Sequence, residues 1–103
     1  MQFMVVGLDG KDSEALQRRM AVREDHIKLG DQLLKEGKAL FGYALLDDKG
    51  KMIGSVYVVD FPTRVELDKW LEIEPYVRGN VWQEIQVTLV KVGPSFMNRS
   101  KQM

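Results

Sequence analysis

The chain contains no cysteine and a single histidine. The first absence excludes disulfides, thiolate metal sites and cysteine nucleophiles. The second excludes a multi-histidine metal centre built within one chain. Neither sign of charge is in excess, because 15 Lys and Arg face 15 Asp and Glu. Nucleic-acid binders take most of their affinity from phosphate contacts and usually carry a basic surplus, so no nucleic-acid partner is expected. No apolar run approaches the ~20 residues that span a bilayer, so no membrane partner is expected either. The apolar start, Met1 to Leu8, is short, lacks a basic leader and is followed by Asp9, which points to a cytoplasmic protein. No phosphate loop, dinucleotide fingerprint or metal-ligand cluster is present, so neither a cofactor nor a metal is expected.

What is present is an ordinary globular mix, with 45% hydrophobic and 29% charged residues in 103 positions. That length suits one domain. A chain of this size buries roughly two-thirds of its unfolded surface, enough for a core but little for an enclosed pocket. Pairing with a second copy enlarges both. Phe3 to Leu8 is apolar on both alternating faces and reads as a central strand. Asp12 or Ser13 can cap a following helix. Leu16 and Met20, four apart, can share one face of a short helix. A further helical stretch runs from about Arg23 to Glu36 and stops at Gly37. The two stretches are either one bent helix or two in series. Ala39 to Leu46 and Met52 to Phe61 read as a hairpin around Asp47-Asp48-Lys49-Gly50-Lys51. Thr63 with Glu66 forms a capping box for a second helix, which Pro75 ends. Gln83 to Val90 is the last strand, with Ile85, Val87 and Leu89 on its drier face.

The order strand, helix, strand, strand, helix, strand predicts an α+β, ferredoxin-like βαββαβ fold. Its four-stranded antiparallel sheet would have the first and third strands central and helices on one face. The other face keeps many apolar residues, and a second copy packed against it is the simplest cover. Residues 1–92 form the expected domain, and residues 93–103 a polar tail without a readable pattern.

Several residues could carry chemistry. His26 lies in the main helix with Arg23 and Gly30 near the same face. An unperturbed imidazole titrates near pH ~6.5, which suits proton transfer at neutral pH. The plainer reading is a core or surface histidine without function. Glycine inside a helix costs about 1 kcal/mol relative to alanine, so Gly30 marks a close approach of backbone or ligand. Glu74-Pro75-Tyr76 is held rigidly by its proline at a loop mouth. A carboxylate there could orient an imidazole, or could simply end a helix. Gly54-Ser55 opens the third strand, where glycine permits close backbone approach and Ser55 offers a binding hydroxyl rather than a nucleophile. Trp70, Trp82 and Tyr76 read either as core aromatics or as a pocket lining.

Taken together these segments resemble the YCII-related family. Arg23-Glu24-Asp25-His26-Ile27 is similar to its R-x-x-H-[LI] segment, and Gly54-Ser55 to its G-S at the third strand. Trp70 with Glu74-Pro75-Tyr76-Val77 resembles its W-x-x-x-D-P-[YF]-V segment, and Val81 fits the strand entry that follows. The resemblance runs from about Phe3 to Val90. It implies a ferredoxin-like homodimer, a dimeric α+β barrel similar to muconolactone isomerases, with a histidine–carboxylate pair for acid–base chemistry. By position, His26 and Glu74 become the catalytic pair. Arg23, Ser55, Tyr43 and Tyr76 become the substrate-binding border. The family aspartate is glutamate here, one methylene longer, and Tyr43 stands in a segment that is usually Gly-Gly-Pro. Asn80 stands where glycine is usual. Two functions are therefore expected to compete. One is a cofactor-independent lyase, isomerase or hydrolase acting on a small cyclic acid or phenol. The other is a non-catalytic small-molecule-binding or assembly module.

Overall fold

The structure is a computed structural model that describes residues 1–97. The chain runs β1 (Gln2–Asp9), α1 (Ala15–Lys35), β2 (Ala39–Leu46), β3 (Met52–Asp60), α2 (Arg64–Ile73), α3 (Pro75–Arg78), β4 (Trp82–Val90) and α4 (Pro94–Met97). The strands form one antiparallel sheet in the order β2-β3-β1-β4. The two strands that are apolar on both faces, β1 and β3, are therefore central. This is the ferredoxin-like βαββαβ architecture. No helix among the described residues is long and apolar enough to cross a membrane.

The register fixes which residues meet the helices, because directly opposed residues share a face. Phe3, Val5 and Gly7 stand opposite Val59, Tyr57 and Ser55 on β3 and opposite Leu89, Val87 and Ile85 on β4. That face carries the core, in which Phe3, Val5, Tyr57 and Val59 pack with Leu33, Leu67, Trp70 and Trp82. The other face carries Met4 and Val6 of β1, Val56 and Val58 of β3, and Phe41 and Tyr43 of β2. The described elements leave this apolar face without a helix layer.

The two helical stretches are one helix, α1. Its buried stripe runs through Ala15, Arg19, Val22, His26, Leu29 and Leu33, spaced three or four apart. Leu16 and Met20 share a neighbouring face of α1, with Met20 52% exposed. A buried arginine occupies the stripe where an apolar residue is expected. Asp12 supports the start by accepting the Glu14 N–H and pairing with Arg18 through both terminal guanidinium nitrogens. The end is a Schellman motif: Lys38 N–H reaches Leu33 O, Gly37 N–H reaches Leu34 O, and Gly37 takes φ 74°.

Thr63 caps α2 by accepting the Glu66 N–H. Glu74, ahead of Pro75, turns extended and ends the helix. It then becomes the cap of α3, its side chain accepting the Tyr76 N–H. Asn80 adopts φ 57°, a left-handed conformation that asparagine tolerates and glycine usually supplies. On β4 the expected dry face is only partly dry. Ile85 and Leu89 point to the helix side, yet they are 38% and 62% exposed because the helices leave this edge uncovered. The segment after β4 includes α4, and residues 98–103 lie outside the described residues.

Candidate active site

His26 projects from the buried stripe of α1 toward the turn where α2 gives way to α3. Its Nδ1 lies 2.7 Å from Glu74 Oε1. The same oxygen accepts the Tyr76 backbone N–H at 2.9 Å. A carboxylate oxygen only accepts, so Nδ1 carries the ring proton and Nε2 is left as the basic nitrogen. Glu74 is fully buried, while the His26 side chain keeps 14% of its surface exposed. The extra methylene of glutamate does not separate the pair, because Glu74 folds back as a helix cap. Pro75 has a fixed φ of its own and holds Glu74 extended, which sets the geometry of that cap.

Tyr76 holds the imidazole plane. Its ring stacks on His26 with centroids 3.7 Å apart and planes within 9°. The Arg19 guanidinium sits over the Tyr76 ring at 4.6 Å from its centroid. A stacked imidazole already fills one ring face, so Arg19 occupies the other. Arg19 and His26 are seven residues apart on one helix, two turns, which leaves room for one ring between them. Burial pushes the Tyr76 hydroxyl above its usual range, opposed by Arg19 and Arg23.

Arg19 was not among the residues singled out from the sequence. It is buried and makes two hydrogen bonds of 3.0 Å to Asp9 at the end of β1. Its other terminal nitrogen donates to Ser55 Oγ at 2.7 Å. Ser55 is thus buried and committed to this network. Burial pushes the Asp9 carboxyl above its ordinary value even with Arg19 opposing the shift. Gly54 makes the expected close approach: a Cβ there would lie 2.7 Å from the Gly7 carbonyl oxygen.

A cavity of about 390 Å³ opens between α1 and the β2–β3 hairpin. His26, Arg23, Ser55, Tyr43 and Tyr76 all border it, whereas Glu74 lies behind His26. Arg23 is exposed at its edge, and no carboxylate pairs with it among the described residues. Tyr43 borders the cavity from the β2 side. It stands opposite Val56, on the sheet face away from the helices, and is 58% exposed. Trp70 and Trp82 belong to the core; Trp82 packs beneath Gly7, where a Cβ would come within 2.3 Å of the indole. Tyr57 is the second residue missed. It borders the cavity from β3, with its ring edge-on to His26 at 5.6 Å and to Trp70 at 5.4 Å. Among the described residues no three His, Asp or Glu side chains converge as a metal-ligand set.

The chemical capacity of the arrangement is that of an acid–base dyad. A carboxylate so placed can orient an imidazole and stabilise its protonated form.

Known structures share this fold. That of 5-chloro-2-hydroxyhydroquinone dehydrochlorinase (TftG) from Burkholderia phenoliruptrix AC1100, in complex with 2,5-dihydroxybenzoquinone, superposes with a TM-score of 0.78. The two are 22% identical over 92% of this chain and 98% of that one. A dimeric ferredoxin-like protein of unknown function from Jannaschia sp. CCS1 gives a TM-score of 0.53 at 15% identity, over 88% of this chain and 98% of that one. An antibiotic biosynthesis monooxygenase gives 0.53 at 20% identity, over 91% of this chain and all of that one (100%). No curated protein matches the sequence. The YCII-related domain profile matches residues 1–91, nearly the whole chain, and the chain belongs to that family.

Proposed function

We propose that the protein is a cofactor-independent acid–base enzyme of the lyase, isomerase or hydrolase type. Its substrate would be a small cyclic organic acid or phenol. His26 Nε2 exchanges the proton. Glu74 holds the ring through Nδ1 and stabilises the imidazolium. Arg23, at the cavity edge, meets an anionic substituent, while Ser55 and Tyr76 form the wall. The observation that carries this reading is the 2.7 Å His26–Glu74 contact at the back of a cavity. Its size agrees: a ~150 Å³ cavity holds benzene, so about 390 Å³ accommodates one substituted ring. The dihydroxybenzoquinone bound by the dehydrochlorinase is a ligand of that kind.

The test is a turnover and binding screen of phenols, hydroxyquinones and cyclic acids with wild type and His26→Gln. Turnover lost in the variant, with binding kept, supports the enzyme. Binding in both proteins with turnover in neither supports the non-catalytic module instead.

The protein is also proposed to be a homodimer through the open sheet face, closing an α+β barrel. Met4, Val6, Val56, Val58, Phe41 and Tyr43 give that face an apolar stripe across three strands. Light scattering at micromolar concentration is expected to give twice the 11.8 kDa chain mass. A monomeric mass would contradict the dimer.

A further inference from the structure

Gly30 sits in the middle of α1, where glycine is unfavourable. A Cβ at this position would lie 2.5 Å from the Tyr57 hydroxyl oxygen. Gly42, directly opposite Tyr57 on β2, leaves room on the other side, since a Cβ there would lie 3.2 Å from the ring. Two glycines on different elements thus keep a slot open for one tyrosine. Trp70 fixes the ring from a third side, edge-on at 5.4 Å. The hydroxyl makes no hydrogen bond to protein among the described residues, and it is not one of the sealed, unpartnered buried atoms. Tyr57, Gly30 and Gly42 all border the cavity that His26 borders.

We propose that the Tyr57 hydroxyl donates a hydrogen bond to the ligand oxygen that becomes negative when His26 accepts a proton, which makes the site selective for phenols and enolisable cyclic ketones. This rests on the acid–base reading of His26. In the step, Nε2 takes the proton from a ligand O–H or from the carbon beside a carbonyl. The freed electron pair settles on the ligand oxygen as a phenolate or enolate. Nδ1–H stays on Glu74, and Tyr57 keeps its own proton while donating to the new oxyanion. Burial, with the Glu74 charge nearby, holds the Tyr57 hydroxyl well above its ordinary 10.0, so it remains a donor at working pH. Preorganised donors of this kind are the largest single contribution in many enzymes.

The probe is 4-nitrophenol, whose bound phenolate is read from its visible absorption, with non-ionisable 4-nitroanisole as the control. Arg19, Arg23 and Asp31 also border the cavity and stay unchanged throughout. Wild type is expected to bind 4-nitrophenol enriched in phenolate. Tyr57→Phe, which keeps the ring, is expected to lower the bound phenolate-to-phenol ratio by roughly 10- to 100-fold, the scale of one hydrogen bond to a charged oxygen. Its 4-nitroanisole affinity should not change. Gly30→Ala should act in the same direction by displacing the hydroxyl. An unchanged ratio in Tyr57→Phe overturns the proposal, whatever Gly30→Ala does. A ratio unchanged in His26→Gln but lowered in Tyr57→Phe overturns the base role of His26 on which the step rests. Failure of wild type to bind either probe overturns the ligand class.

Discussion

Replacement of His26 by glutamine is expected to lower turnover by about 100- to 10,000-fold, the usual contribution of a positioned general acid or base. Glutamine is chosen because its amide can still donate to Glu74 and its plane can still lie against Tyr76. The folded state should therefore survive, and so should ligand affinity, since the cavity keeps its walls. The loss should fall on kcat and leave KM nearly unchanged, as happens when an interaction made only in the transition state is removed. A variant retaining more than about a tenth of wild-type turnover would remove His26 from the chemistry, because such a loss is below the range for general-base catalysis.

The largest effect on stability is expected at Arg19. Arg19→Met leaves the buried Asp9 carboxylate without its partner and Ser55 Oγ without its donor. Breaking one side of a buried ion pair typically costs about 3–5 kcal/mol. For a domain of this size that corresponds to a fall in Tm of roughly 12–40 °C, at about 4–8 °C per kcal/mol. The pair itself is not a large net stabiliser. Burial raises the Asp9 carboxyl despite the adjacent guanidinium, so desolvation outweighs the attraction. Replacing both partners, Asp9→Leu with Arg19→Met, should accordingly recover most of the loss, as apolar substitution of buried pairs often does. Urea denaturation of the two single variants and the double variant measures this coupling. Additive losses would contradict it. The network connects to the site through Tyr76, whose ring lies between Arg19 and His26.

These two residues mark where sequence was informative and where it was not. His26 and Glu74 are 48 positions apart, yet the sequence pairs them, because each sits in a short segment that resembles the family pattern. The central strands are legible because β1 and β3 are apolar on both faces. Thr63 and Pro75 were legible because capping and pre-proline geometry are local. Arg19 was not, because nothing local distinguishes it among 15 basic residues. Its burial depends on Asp9 arriving from β1. The one available signal was that Phe3, Val5, Gly7 and Asp9 share a strand face, which puts a carboxylate in line with the core. Gly30 signalled a close approach correctly, but the approaching group is a tyrosine from another element, and only the tertiary fold brings them together. Tyr43 borders the cavity as expected, but its exposure follows from its register with Val56, which only the strand pairing sets.

The central claim is that Glu74 fixes the His26 tautomer and leaves Nε2 as the base. Because His26 is the only histidine, its two imidazole nitrogens are read without ambiguity in a ¹⁵N-labelled sample. At a pH where the ring is neutral, the proton is predicted on Nδ1, with Nε2 unprotonated. A proton on Nε2, or the two tautomers in comparable amounts, would contradict the account.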